Sequence, residues 1–348
     1  MEKKLIAVSC LALLALSTEA QADFLTPTAG DYLLIGRGSS SDGVAVQVGS
    51  SNSLGQIFTV PASSDPDVDD TPPWPLPAGA TPPMMGLTND GNVAVTHANG
   101  TYNFQDINIW ADLGVRAPSG VTTSARDGWS NSNLFNGSFA NDAAGMAAIE
   151  AELDAAHTAI SGLSATGGWS VSGDGFMNGS NHWQINSGTV DSNTTITLDA
   201  GLNVIVIDTN DNDFSLNNAG LVIDGGADSS VIFLLENEDQ ANFLFTNASI
   251  THGQSGIDGN SILFATLDGG NDSNFNFSKV IVNGAAFWDL SEDGGEITMN
   301  NVQGCGQWIG DHLNFNDVQL ARCEYVVPEP TSLALLGLGG LLVARRRR

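Results

Sequence analysis

Positive charge is what this chain has least of. Eleven lysines and arginines stand against 39 acidic residues, a formal net charge of −28. Such a surface repels nucleic acid and anionic lipid, and no nucleic-acid partner is expected. It attracts divalent cations or polycations and favours solubility. Cysteine is scarce at three, and the five histidines are scattered. No histidine pair lies at ligand spacing from a cysteine, so a zinc site is not indicated. No Gly-x-Ser-x-Gly elbow sits between a strand and a helix, which removes that nucleophile motif. A β-helix lyase needs cations near clustered carboxylates. After residue 161 and before the C-terminal basic cluster only Lys279 and Arg322 occur.

What the chain has in abundance is glycine, 40 of 348, with many Asn, Ser, Asp and Thr. That composition predicts many tight turns between short elements. Both ends carry signals. Lys3 and Lys4 precede the apolar run Leu5–Leu16, and Ala20-Gln21-Ala22 is a small-residue cleavage site. Residues 1–22 read as a signal peptide for export through the Sec translocon, with the mature chain beginning at Asp23. Cys10 lies inside the apolar run, too early for a lipoprotein site.

The C-terminus reads Val327-Pro328-Glu329-Pro330, an apolar run from Thr331 to Ala344, then Arg345, Arg346, Arg347 and Arg348. As a transmembrane helix the run reaches roughly 21 Å, short of the ~30 Å hydrocarbon core. The arginines stay cytoplasmic under the positive-inside rule, and the body lies outside. The short span suits a temporary tether presented to a membrane enzyme. Residues 326–348 resemble the PEP-CTERM sorting signal of Gram-negative bacteria. The resemblance implies processing near Pro-Glu-Pro by an exosortase-type membrane enzyme, in hosts that typically make exopolysaccharide. The same tail type is also labelled an ice-binding protein C-terminus, which is no evidence of ice binding.

Between the signals, residues 23–327 keep five cations (Arg37, Arg116, Arg126, Lys279 and Arg322) against 36 acids, a net charge of −31. Cys305 and Cys323 are the cysteines left after export, and in an oxidising compartment they are expected to pair. By the chain-entropy argument such a bond contributes roughly 3 kcal/mol.

Residues 23–325 read as one β-rich extracytoplasmic domain. Proline and aspartate crowd residues 61–83, which predicts an extended surface loop. One helix is expected over residues 141–161, capped by Asn141 or Asp142. Its apolar stripe is Ile149, Leu153, Ala156 and Ile160, with Glu150, Glu152 and Asp154 off it. Gly162 is the expected C-cap. Short apolar runs such as Val231–Leu235, Phe275–Phe277, Val280–Val282 and Ile297–Met299 alternate with Gly, Asn and Asp. This cadence suits a sandwich or a solenoid. Paired asparagines, Asn217-Asn218 and Asn300-Asn301, favour the solenoid, where stacked amides form ladders. The expected fold is therefore mainly β, an irregular parallel β-solenoid (β-helix) with one flanking α-helix along its side. No strict period is visible.

A second resemblance rests on Ala159-Ile160-Ser161-Gly162-Leu163, on Ile196 to Asp208, on Ser229 to Leu235 and on Gly284 to Asp289. These segments are similar to the choice-of-anchor A family of bacterial surface domains. The order of helix and solenoid is also similar to the bacterial ice-binding adhesin fold. Neither resemblance brings a catalytic set.

Candidate sites follow from residue type. Asp208, Asp211 and Asp213 are weak candidates for Ca²⁺, although an EF-hand loop fails at Asp213 and Ala219. Glu236 with Glu238, or Asp289 with Glu292, would suit a glycosidase, but close pairs arise by chance among so many acids. Trp183 and Trp308, set among polar neighbours, are expected as exposed sugar platforms, and Trp288 as core. Thr194-Thr195-Ile196-Thr197 reads as one edge strand and not as a repeated ice-binding array. The expectation is an exported structural or adhesive surface protein without catalysis or resident cofactor. The alternative is a carbohydrate-binding module of the exopolysaccharide matrix, with hydrolase, lyase and ice-binding readings behind it.

Overall fold

The computed structural model describes residues 28–38, 44–49, 55–57, 91–120, 129–130, 133–210, 212–235, 242–253, 255–257, 259–266, 274–288 and 295–323. The expected signal peptide (residues 1–22), the expected loop over residues 61–83 and the sorting tail lie outside them. The body is a three-sided parallel β-solenoid with one flanking helix.

The rungs stack in an order that differs from the sequence. Rung 1 comprises Trp183–Gln184, Thr189–Val190 and Thr194–Thr197; rung 2 comprises Gly201–Asp208, Phe214–Asn217 and Gly220–Asp224. Rung 3 is Ser229–Leu235 with Phe243–His252, and rung 4 is Ile262–Thr266 with Asn274–Asn283. Rung 5 is Ala285–Phe287 with Glu296–Cys305, and rung 6 is Trp308–Gly310 with His312–Ala321. The next layer is N-terminal: rung 7 is Leu34–Gly36, Val46–Gly49 and Gly55–Ile57, paired in parallel on rung 6. Rung 8 (Val93–Val95, Tyr102–Gln105, Ile107–Trp110) and rung 9 (Gly114–Ala117, Trp129–Ser130, Asn133–Phe135) continue outward. Ser138–Asn141 begins a further turn on Gly114–Ala117.

Helix α1, Ala143–Ser161, then runs back along the stack. Its length of about 28 Å matches roughly six strand spacings of ~4.8 Å. Past it, Thr166 and Val204 exchange backbone and hydroxyl hydrogen bonds in rung 2. Ser170–Ser172 and Phe176–Met177 close the rung 1 end by antiparallel pairing. Thr194–Thr197 therefore lies inside a sheet, between Ser170–Ser172 and Gly220–Asp224, and not at the expected edge.

α1 forms as its sequence dictates. The Asp142 carboxylate accepts the Gly145 N–H at 2.8 Å, which caps the first turn. Met146, Ile149, Leu153 and Ile160 are buried against Tyr32, Ile35, Val204, Ile232, Leu263 and Phe287 on the outer surface of the first side. The Arg37 guanidinium, in rung 7's following turn, donates to Glu150 at 2.6 Å and to Asp154 at 3.1 Å. Burial works to lower the pKa of Arg37, but the Glu150 hydrogen bond and charge outweigh it and hold the pKa above its ordinary value. Glu152 accepts the backbone N–H groups of Thr28 and Ala29.

The interior is aromatic. Phe233 stacks on Phe264 at 5.0 Å, and Phe243 meets Phe275 at 4.8 Å and Trp288 at 5.0 Å. One corner of the prism is a column of left-handed residues: Asn218, Asn247, Lys279, Asn301, Asp317 and Asp106 all have φ between 47° and 57°. Asn and Asp tolerate that conformation, which bends the strand without breaking the stack. The expected amide ladder is present in part: Asn247 Nδ2 donates to Asn218 Oδ1 at 3.2 Å. This bend also explains why Phe275–Phe277 and Val280–Val282, expected as two strands, are one strand turned at Lys279.

Candidate functional site

The three sides differ in what they turn outward. The first carries α1. The third, formed by the segments beyond the left-handed corner, turns Val222, Ser249, Thr251, Ile281 and Asn283 outward, all buried. Further along the same side Gln303 and Gln319 stand in register on neighbouring strands. Gln303 Nε2 donates to Gln319 Oε1 at 3.0 Å.

The second side is open. Its central outward column is Thr189, Ser215, Leu244, Asn276, Thr298, Asn314, Gln47 and Asn103. The neighbouring column is Asn217, Thr246, Ser278, Asn300, Asn316, Gly49 and Gln105. Each is half-buried or exposed, while the residues between them point inward and are buried. No position in either column carries charge, although the chain is strongly acidic. Among the described residues charge returns at the margins, as with Glu296 on one side and Lys279, Asp317 and Asp106 at the corner. The result is a lattice of mostly polar side chains, interrupted at Leu244 and Gly49, repeating at one strand spacing, ~4.8 Å. Sequence reasoning passed over these residues. The signal was the alternation in Asn274-Phe-Asn-Phe-Ser and His312-Leu-Asn-Phe-Asn.

The tryptophans correct an expectation. Trp183 and Trp308 are 0% exposed and belong to the core with Trp288. Trp183 Nε1 donates to the Asp174 carbonyl at 3.1 Å and its ring meets Phe214 edge-on. Trp308 packs edge-on to Phe277. Among the described tryptophan side chains, Trp110 is the one that is not buried; it stacks on Phe135 at 4.8 Å, and Phe135 is 39% exposed.

Asp208 and Asp213 serve their turns: Asp208 accepts the Asn210 N–H, and Asp213 Oδ1 accepts both the backbone and side-chain N–H of Asn242. Asp211 lies outside the described residues, as do Glu236, Glu238, Asp289, Glu292, Ala20, Ala22 and the whole Pro-Glu-Pro tail. Among the described residues no three His, Cys, Asp or Glu side chains converge on a metal-sized site. Cys305 and Cys323 are joined by a disulfide. No helix among the described residues is long and apolar enough to cross a membrane.

A side-capped parallel solenoid presenting one uncharged side is the class of protein that the fold defines. Residues 326–348 match the family model for the PEP-CTERM protein-sorting motif. The chain is an exported protein, processed by an exosortase at the membrane and ending at the cell surface or outside the cell. No curated protein matches it. Among solved structures, the body is similar to an ice-binding protein from an Arctic yeast, at 11% identity and a TM-score of 0.41, covering 90% of this chain and all of that one. A glycosylated form of the yeast protein gives 11% and 0.40, covering 88% and 97%. Likeness at that level carries no argument about what this chain binds.

Proposed function

We propose that the protein is a structural or adhesive component of the cell surface or extracellular matrix, and that its uncharged side contacts neutral matrix polysaccharide. The observation carrying this reading is the two-column lattice on the second side, Thr, Ser, Asn and Gln at every position but Leu244 and Gly49. A hydroxyl-rich, uncharged polymer matches such a lattice hydrogen bond for hydrogen bond. Anionic polymers are repelled by the acidic body. Each contact contributes little, about 0.5–1.5 kcal/mol, so useful affinity comes from repetition along the stack. The resemblance to choice-of-anchor A surface domains supports the same reading. It assigns the body no reaction and no resident cofactor.

Affinity electrophoresis through gels loaded with dextran, β-glucan or alginate tests the idea. Retardation is expected in the neutral polymers, absent in alginate, and lost in Asn276→Glu/Asn314→Glu. Equal mobility in every neutral gel would sink the reading. Loss of retardation in Trp110→Ala with the lattice intact would move the contact to the Trp110–Phe135 pair. Threonine occupies only Thr189, Thr246 and Thr298 of the lattice, so it is no regular threonine array, and ice-recrystallisation inhibition by the purified body is expected to be absent.

A further inference from the structure

We propose that the Cys305–Cys323 disulfide is a tension clamp, which routes a pull on the C-terminal tail away from the rung that closes the solenoid. The proposal rests on the reading of the tail as a tether. Rung 6 joins the two halves of the stack: it pairs with rung 5 on one side and with N-terminal rung 7 on the other. The sorting tail continues directly from this rung. Without a cross-link, a pull on the tail loads His312–Ala321 from its end and peels its hydrogen bonds one after another.

The disulfide changes that path. It ties Cys323, two residues past the strand, to Cys305, the last residue of Glu296–Cys305 in rung 5. Tension entering at Cys323 leaves through Cys305, and the chain between them becomes a closed loop that carries none. The receiving strand is better held, because it is paired along its whole length on both sides, with Asn274–Asn283 and with His312–Ala321. His312–Ala321 has full pairing on one side only and on the other meets two shorter strands.

The exit point is also fixed independently. Asn260 Nδ2 donates to the Cys323 carbonyl at 3.1 Å, and the Arg322 guanidinium donates to the Gly30 carbonyl. Gly259 leaves the space that the bond occupies, since a Cβ there would lie 2.3 Å from Cys323 Sγ. Both cysteines are buried, 2% and 7% exposed. The clamp forms only after export, in an oxidising compartment.

Optical-tweezer extension of the exported protein reads the clamp directly. One handle is attached to the chain just beyond Cys323 and the other to a tag inserted beside Gly226, a turn with open space around it. In the oxidised protein no extension should precede unfolding of the body. After reduction of the folded protein, an early low-force step of roughly 60 Å should appear, the length of the released loop at ~3.3–3.6 Å per residue. An early step in both states, or in neither, overturns the proposal. So does a uniform drop in every unfolding force without a separate step, which marks a general stabiliser. Reduction after folding makes the result independent of whether cysteine variants fold. If cells fail to retain the protein by its tail while the step appears, the tether reading fails and the clamp stands.

Discussion

Two sides of one prism share backbone, register and core, yet face outward in opposite ways. On the first side, Val204, Ile232 and Leu263, and beside them Leu234, Ala265, Phe287, Ile309 and Ile35, form apolar outward columns that α1 covers. On the second, the same pleat presents Asn, Thr and Ser. Strands buried on both faces read as continuous apolar runs, such as Val231-Ile-Phe-Leu-Leu235, while half-open strands alternate. The comparison teaches that the outward half of each strand assigns each side its task, and the inward half only holds the stack.

The comparison breaks most severely from inside, where both sides meet. Phe264→Ala removes the ring stacked on Phe233 and should cost about 3–5 kcal/mol, read by urea denaturation. Leu153→Ala empties the seam between α1 and the first side and should cost about 2–5 kcal/mol; a loss under half a kcal/mol would mean that α1 is not held by its stripe. Arg37→Ala leaves the seam packed but removes its charged hydrogen bonds to Glu150 and Asp154, for about 1.5–3 kcal/mol.

The end cap gives a pH-dependent contribution. Burial works to raise the Asp174 pKa, but the Ser192 and Asp191 N–H groups donate to its carboxylate and hold it below the ordinary value. Its folded pKa is depressed, so the stability it contributes is present above the unfolded value of about 3.9 and is lost as pH falls through the folded value. Asp174→Asn should therefore flatten part of the acid limb of a melting-temperature profile. The smallest effect belongs to the open side: Asn314→Glu should change stability by no more than about 0.5 kcal/mol while weakening retention in neutral polysaccharide, and the Asn276→Glu/Asn314→Glu pair should abolish it. A large destabilisation there would erase the distinction between the two sides.

Much of this architecture is legible in the sequence. The α1 stripe and cap stand where Ile149, Leu153, Ile160 and Asp142 place them, and most short apolar runs are strands. The repeat was hidden because only the strands repeat. Asn274–Asn283, Glu296–Cys305 and His312–Ala321 align residue for residue, but the connections between them differ in length, so no fixed period appears. Trp183 and Trp308 misled for a related reason. Polar neighbours such as Gln184 and Gln307 point outward on the same segments, and a period of two turns the adjacent ring inward. The open lattice escaped notice because single Asn and Ser residues read as turn formers until register stacks them. The stack order, with rung 7 on rung 6, has no local signature at all.

That order has a consequence for how the protein is made. Rungs 7 to 9 are synthesised first, yet the layer that completes them comes last: Gln307 donates to the Tyr32 carbonyl across 275 positions of sequence. Until it arrives, Leu34–Gly36 and Val46–Gly49 offer bare backbone edges of the kind that recruit strands from other chains. Such distant pairings are also slow to form. The nascent protein thus waits half-zipped, and the stretch that ends the wait runs straight into the sorting signal. Maturation of the fold and delivery of the tail are two ends of one event.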